Sequence, residues 1–139
     1  MRSNVTIVVT VKNSANTIKR CVDSLLSQNY KNYEIMVIDA FSTDGTYEIL
    51  KEYAEKGLIK LYRVMGNPPR AYNWALKRIS SKFVAFTDAD CEADKNWLKE
   101  LMNGFTSKEI LAVAGFCATP ENSNFLQRLI GKELEARFK

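Results

Sequence analysis

Two periodicities alternate along this chain, and the alternation limits its possible folds more than any single residue does. Val5-Thr6-Ile7-Val8-Val9-Thr10-Val11 is a near-continuous β-branched run, as expected of a strand buried on both faces. Ile18, Val22, Leu25 and Leu26 then repeat at helical spacing, with Asn16 as the expected N-cap. Tyr33 to Asp39 predicts a second strand. Ile49, Leu50 and Tyr53 mark a second helix, which Gly57 is expected to end. A strand over 58–64 follows. Pro68-Pro69 then opens a helix with Ala71, Trp74, Ala75 and Leu76 as its apolar surface. Next come a strand over 82–87 and a helix capped by Asp94 that turns Trp97, Leu98 and Leu101 inward. A fifth strand is expected over 110–116 and an amphipathic helix over 124–138. This order predicts an α/β fold: a mostly parallel, Rossmann-like sheet with helices on both faces and right-handed connections. Residues 1–139 read as a single domain, without repeat or linker.

Composition narrows the function. The net charge of +4 suits anionic partners such as nucleotides, phosphates or a membrane surface. Lys and Arg are scattered among acidic residues, with no basic tract interleaved with aromatics, so nucleic acid is not expected as a partner. The chain has no histidine, which removes His-dependent triads and His metal sites. Cys21, Cys91 and Cys117 are few, odd in number and far apart, against a disulfide framework or a zinc ribbon. Neither a signal peptide nor an apolar run near the ~20 residues of a membrane span is visible. The expected location is cytoplasmic and reducing.

The chemistry gathers at the strand ends. In a parallel sheet, ligands bind in the crevice outside the carboxyl edge. Strand one ends in Thr10-Val11-Lys12-Asn13, and strand two ends in Asp39, followed by Ser42-Thr43-Asp44-Gly45-Thr46. Ser42 and Thr46 are expected as helix caps. A carboxylate closing Ile-Met-Val-Ile is costly to bury unless it is paired or meets a ligand donor, which singles out Asp39. Strand four ends in Asp88-Ala89-Asp90. Two carboxylates one residue apart point the same way from an extended backbone and make a small, hard, oxygen-only site. Mg²⁺ and Mn²⁺ favour such sites, with substrate phosphates completing the coordination. With strand one central, Asp39 and Asp88 are expected to converge on one pocket.

Four segments together resemble the N-terminal half of a family-2 glycosyltransferase with the GT-A fold. Val8 to Asn13 with the helix Cys21 to Gln28 is similar to the family's opening strand and helix. Tyr33 to Thr46 is similar to its second strand and D-D-G-S-x-D-G-T loop. Asn67 to Leu76 is similar to its A-x-x-N helix, and Phe83 to Asp90 to its D-x-D strand. The resemblance covers roughly the first hundred residues, in order. It implies an inverting transferase that uses a UDP- or GDP-sugar and Mg²⁺ or Mn²⁺. Thr10 and Asp39 would touch the base, Asp39 accepting from a ring N–H. Asp88 would approach the ribose or donor sugar and share the metal with Asp90. Lys12 and Arg70 are candidates for the phosphates, Asn13 for the nucleotide-sugar site, and Asn73 for shaping the loop. Three positions depart from the pattern: Ala40 replaces its second Asp, Phe41 its Gly, and Tyr72 the Arg before Asn73.

The resemblance also implies an acceptor region after the fifth strand that supplies the general base. This chain is expected to be truncated before it, so no general base is assigned. Glu121, Glu133 and Glu135 are the acidic residues beyond Phe116, and the last two lie on an ordinary amphipathic helix. The acceptor, a glycan or a lipid-linked sugar, is not specified. The apolar face of the last helix suggests packing on the sheet, peripheral contact with the cytoplasmic membrane, or a dimer. The alternative from another class is a non-catalytic nucleotide-binding or assembly module with the same fold.

Overall fold

The computed structural model describes residues 4–119 and 123–137, which leaves Glu121 and Phe138, and the side chains of Leu134, Glu135 and Arg137, outside the described set. Four parallel strands form the sheet: β1 (Val5–Val11), β2 (Tyr33–Asp39), β3 (Lys60–Arg63) and β4 (Phe83–Asp88), in the order β3-β2-β1-β4. Strand one is therefore central, which explains its unbroken β-branched run. Val5, Ile7, Val9 and Val11 pack toward one face and Val8 toward the other.

On the first face lie α1 (Ile18–Leu26), α2 (Thr46–Glu55) and α4 (Trp97–Asn103), through Ile18, Cys21, Val22 and Leu25, then Leu50, then Leu98. On the second lies α3 (Pro68–Leu76), whose Ala71 and Ala75 meet Val8, Met36 and Ile38. Small residues on α3 let it sit close to the sheet. At roughly 25 cal/mol per Å² of apolar surface, these two layers dominate the stability of the fold.

The chain divides into two compact units, residues 1–103 and 104–139. The second contains α5 (Phe125–Arg137), whose Phe125, Leu126, Leu129 and Ile130 are exposed.

Several local expectations are corrected. Residues 110–116 form no strand, and Leu111 and Phe116 stand exposed. Apolar β-branched content marks a segment able to pair, but only a ladder partner makes it a strand. The N-cap of α1 is Thr17, without a side-chain cap bond, rather than Asn16. Helix α2 starts on Gly45 at φ 95°, and Thr46 and Ser42 are not its caps. Gly57, at φ 70° directly after the C-cap Lys56, ends α2 as expected. Asp94 caps the turn before α4, accepting from Asn96 N at 2.8 Å.

Candidate active site

The parallel register brings the carboxyl ends of β1, β2 and β4 together. Thr10 pairs with Ile38 on one side and Asp88 on the other, and Val11 pairs with Asp39. The pleat then separates the two carboxylates. Thr10, Ile38 and Asp88 share the α3 side, whereas Asp39 has the parity of Val37 and Ile35 and faces the side of α1 and α2.

A cleft of about 310 Å³ opens beside Thr10, between the strand ends and the start of α3. Its walls are largely apolar: Val11, Ile38, Ala40, Pro68 and Ala71. Thr10, Lys12 and Asn67 supply its polar side chains. Thr10 Oγ1 donates to Tyr72 Oη at 3.4 Å, and the Tyr72 ring meets Phe86 edge-on at 4.9 Å. Where the family pattern has an Arg, an aromatic lid over Thr10 takes its place. Arg70 and Asn73 are exposed on α3 and are not in the cleft wall. Gly66, at φ 137°, lets the Arg70 stem fold back; a Cβ there would lie 2.6 Å from Arg70 Cδ.

Asp39 is fully buried, and the sequence's question about it is answered inside the protein. Both of its oxygens accept from Ser42 N, each at 3.2 Å, and Arg63 Nε donates to Oδ2 at 3.1 Å. The Arg63 guanidinium lies between the rings of Phe41 and Tyr47, 4.5 and 4.1 Å from their centroids. Phe41 keeps φ 58°, the left-handed backbone that suits the glycine of the family pattern. Its side chain covers the cation that neutralises Asp39. No motif marks Arg63 in the sequence. Its position at the end of strand three, beside the end of strand two, was the available signal.

Asn13 is engaged in the scaffold. At φ 51°, its N–H donates to Ser42 Oγ at 2.9 Å and its Oδ1 accepts from Thr43 N at 2.9 Å. Asp44 accepts from Thr46 and, at 3.0 Å, from Ala15 N, and these bonds, the Thr46 hydroxyl first, hold its carboxyl below the ordinary carboxylate value. The 40–46 loop is thus tied to the loop after β1.

Asp88 and Asp90 are exposed, and their carboxylates lie with Cys91 Sγ in a group whose ligand atoms are all within 4.8 Å of one another. Two hard oxygens fit Mg²⁺ or Mn²⁺; the thiol is the softer and less suited member. The negative field is felt nearby. Cys21, whose Sγ donates to the Asp88 carbonyl at 3.4 Å, has its thiol pushed up to about 12, first by burial, then by Cys91, Asp90, Asp88 and Glu92. The acidic loop is moored to α1 at its far end. Gln28 Nε2 donates to Asp94 O at 2.8 Å, Gln28 Oε1 accepts from Leu98 N at 2.9 Å, and Ser24 Oγ accepts from Ala93 N at 3.0 Å.

A parallel α/β sheet with an apolar cleft and a carboxylate pair at its carboxyl edge places the chain among the α/β domains that bind ligands at that edge. Residues 6–138 match the profile described as Glycosyl transferase family 2, and the chain belongs to that family. It is 35% identical over 99 residues to Glycosyltransferase GlyA of Streptococcus pneumoniae, covering 70% of this chain and 14% of that protein. The structure of residues 1–349 of Staphylococcus aureus TarS in complex with UDP superimposes with a TM-score of 0.65 at 30% identity, covering 76% of this chain and 32% of that fragment. The mannosyltransferase PcManGT of Pyrobaculum calidifontis, in complex with GDP-Man and Mn²⁺, gives a TM-score of 0.69 at 27% identity, covering 79% and 34%. The chain therefore spans a third or less of the length of GlyA and TarS.

Proposed function

We propose that this chain is the donor-binding part of a metal-dependent, inverting glycosyltransferase that uses a nucleotide-diphospho-sugar. The observation that carries the reading is the apolar cleft beside Thr10, with Asp88 next to Thr10 in register and Asp90 beyond it. A nucleobase suits walls made by Val11, Ile38, Ala40, Pro68 and Ala71. In this reading Lys12, in the cleft wall, would meet the diphosphate, with Arg70 beside Gly66 as a second candidate. The UDP and GDP-Man held by TarS and PcManGT support a UDP- or GDP-sugar as donor.

Asp88 and Asp90 would hold Mg²⁺ or Mn²⁺, in keeping with the Mn²⁺ of PcManGT. The metal's contribution is Lewis-acid stabilisation of the charge that develops on the departing nucleoside diphosphate. The role left to Asp39 is to hold the 40–46 loop through Ser42 and Arg63. In this reading it shapes the cleft through Ala40 and does not need to contact the base. The acceptor is a glycan or lipid-linked sugar, and the enzyme works on the cytoplasmic side.

A thermal-shift panel tests the reading: UDP, GDP, CDP and ADP, each with Mn²⁺ or with EDTA. A ligand at ~100 times its dissociation constant adds about 2.7 kcal/mol. A Mn²⁺-dependent shift with UDP or GDP supports the proposal. An equal response with EDTA, or no shift at all, refutes it for this chain.

A further inference from the structure

We infer that Cys21 and Cys91 are a redox pair, whose reversible disulfide fastens the acidic turn after β4 to α1. The inference stands on how these two segments pack and is independent of the nucleotide reading. One oxygen serves both residues: Asp88 O accepts from Cys21 Sγ at 3.4 Å and from Cys91 N at 3.2 Å. Two donors on one carbonyl are close neighbours. The flanking residues hold the same alignment. Arg20 Nη1 lies 3.0 Å from Glu92 Oε1, and Ala93 N donates to Ser24 Oγ at 3.0 Å. Along α1, Arg20 thus meets Glu92, Cys21 meets Cys91, and Ser24 meets Ala93. The exposed ion pair adds little stability, but it reports the alignment. After burial, Cys91 is also the largest influence raising the Cys21 thiol, as a close neighbour would be.

The two thiols differ in access. Cys21 is 1% exposed and is shielded from an oxidant in solution, whereas Cys91 is half-buried. Cys91 is therefore the sulfur that a peroxide reaches. Its sulfur attacks one oxygen of hydrogen peroxide, the O–O bond breaks, and the other oxygen leaves as water with the thiol proton. Cys91 is now a sulfenic acid. The Cys91 side chain, with Sγ 3.9 Å from Asp90 Oδ1 in the reduced protein, turns to Cys21. The Cys21 sulfur attacks the Cys91 sulfur, the S–O bond breaks, and the hydroxyl leaves as water with the Cys21 proton. Two thiols are oxidised to one disulfide and one peroxide is reduced to two waters. An added dithiol reverses the bond by exchange.

The test uses the full chain, with exposed Cys117 as an internal competitor. The protein is treated with one equivalent of hydrogen peroxide, alkylated and mapped by peptide mass spectrometry, with and without concentrated urea. The native chain is expected to give the 21–91 linkage in about tenfold excess over either pair with Cys117, and urea should abolish that preference. The melting temperature of the oxidised chain should rise by about 5 °C or more, because the cross-link restricts the unfolded chain, and dithiothreitol should restore the original value. Cys91→Ser and, separately, Cys21→Ala should each lose both the linkage and the rise. Oxidation of Cys91 that stops short of a disulfide overturns the inference. So does linkage to Cys117 in comparable yield, or the same distribution in urea as in the native chain. A 21–91 bond that leaves the melting temperature unchanged or lowers it refutes the fastening of the turn. If either variant fails to fold, the mapping of the parent still decides.

Discussion

Replacing Arg63 with Met leaves the carboxylate of Asp39 fully buried with only its two bonds from Ser42 N. The variant loses the charge-assisted hydrogen bond to Asp39 at 3.1 Å, a longer one from Nη2 to Ser42 O at 3.4 Å, and two cation–π contacts at 4.5 and 4.1 Å. A hydrogen bond to a charged group contributes about 1.5–3 kcal/mol, and each cation–π contact roughly 0.5–1. The Arg63 side chain is 34% exposed, which places the sum toward the lower end, at about 2–3 kcal/mol. For a chain of this size that is a fall in melting temperature of about 10 °C. The assay is a double-mutant cycle of Arg63→Met and Asp39→Asn, followed by urea denaturation and far-UV circular dichroism. The coupling energy is expected at about 1.5 kcal/mol or more. A coupling below about 0.5 kcal/mol would refute the reasoning, because Arg63 would then be an ordinary surface cation and the burial of Asp39 would need another explanation.

Other expectations follow from the same geometry. Asp90→Ala, at an exposed position, should change stability by less than about 0.5 kcal/mol yet abolish the Mn²⁺-dependent thermal shift with nucleotide; a variant that responds like the parent contradicts the metal assignment. Cys21, with its thiol raised from 9.0 to about 12, should resist iodoacetamide at pH 8 in the folded protein while exposed Cys117 is alkylated, as peptide mass mapping will show. Because the unfolded chain loses that proton first, the contribution of Cys21 to stability is complete below pH 9.0 and declines toward about 12, a slope that Cys21→Ala should lack. The lowered Asp44 carboxyl acts oppositely: its contribution is present above its unfolded value of 3.8 and is lost as pH falls through the lower folded value. Acid titration of Asp44→Asn should therefore be shallower below pH 3.8 than that of the parent.

The parts of the fold that could be read from sequence were those in which one physical cause dominates. Val5–Val11 and Tyr33–Asp39 are strands with the bounds their apolar runs predict, because burial on both faces leaves an uninterrupted signal. Strand three is an edge, and only Lys60–Arg63 of the expected 58–64 forms a ladder. The stretch over 110–116 carries the same residue types without a partner, and composition cannot distinguish the two. The site divides in the same way. The positions of Thr10 and Asp88 near strand ends were legible. Asp90 instead lies in the turn after β4, where Cys91 N donates to Asp88 O at 3.2 Å, so a turn rather than the pleat of an extended strand brings its carboxylate near that of Asp88. Arg63 was not legible, since its bond to Asp39 depends on strand order, and Asn67 was read only as the start of a segment. Phe41 could be read as a departure from the pattern, but its stacking on Arg63 could not.

The mooring of the acidic loop to α1 has a consequence for hydrogen exchange. The amides of Ala93 and Leu98 are held by Ser24 and Gln28, side chains on or just after a helix about 70 residues earlier in the chain. Exchange of those amides requires that the segment part from these side chains beside α1. The loop bearing Asp90 and the helix bearing Cys21 therefore belong to one cooperative unit, whose protection should rise and fall together.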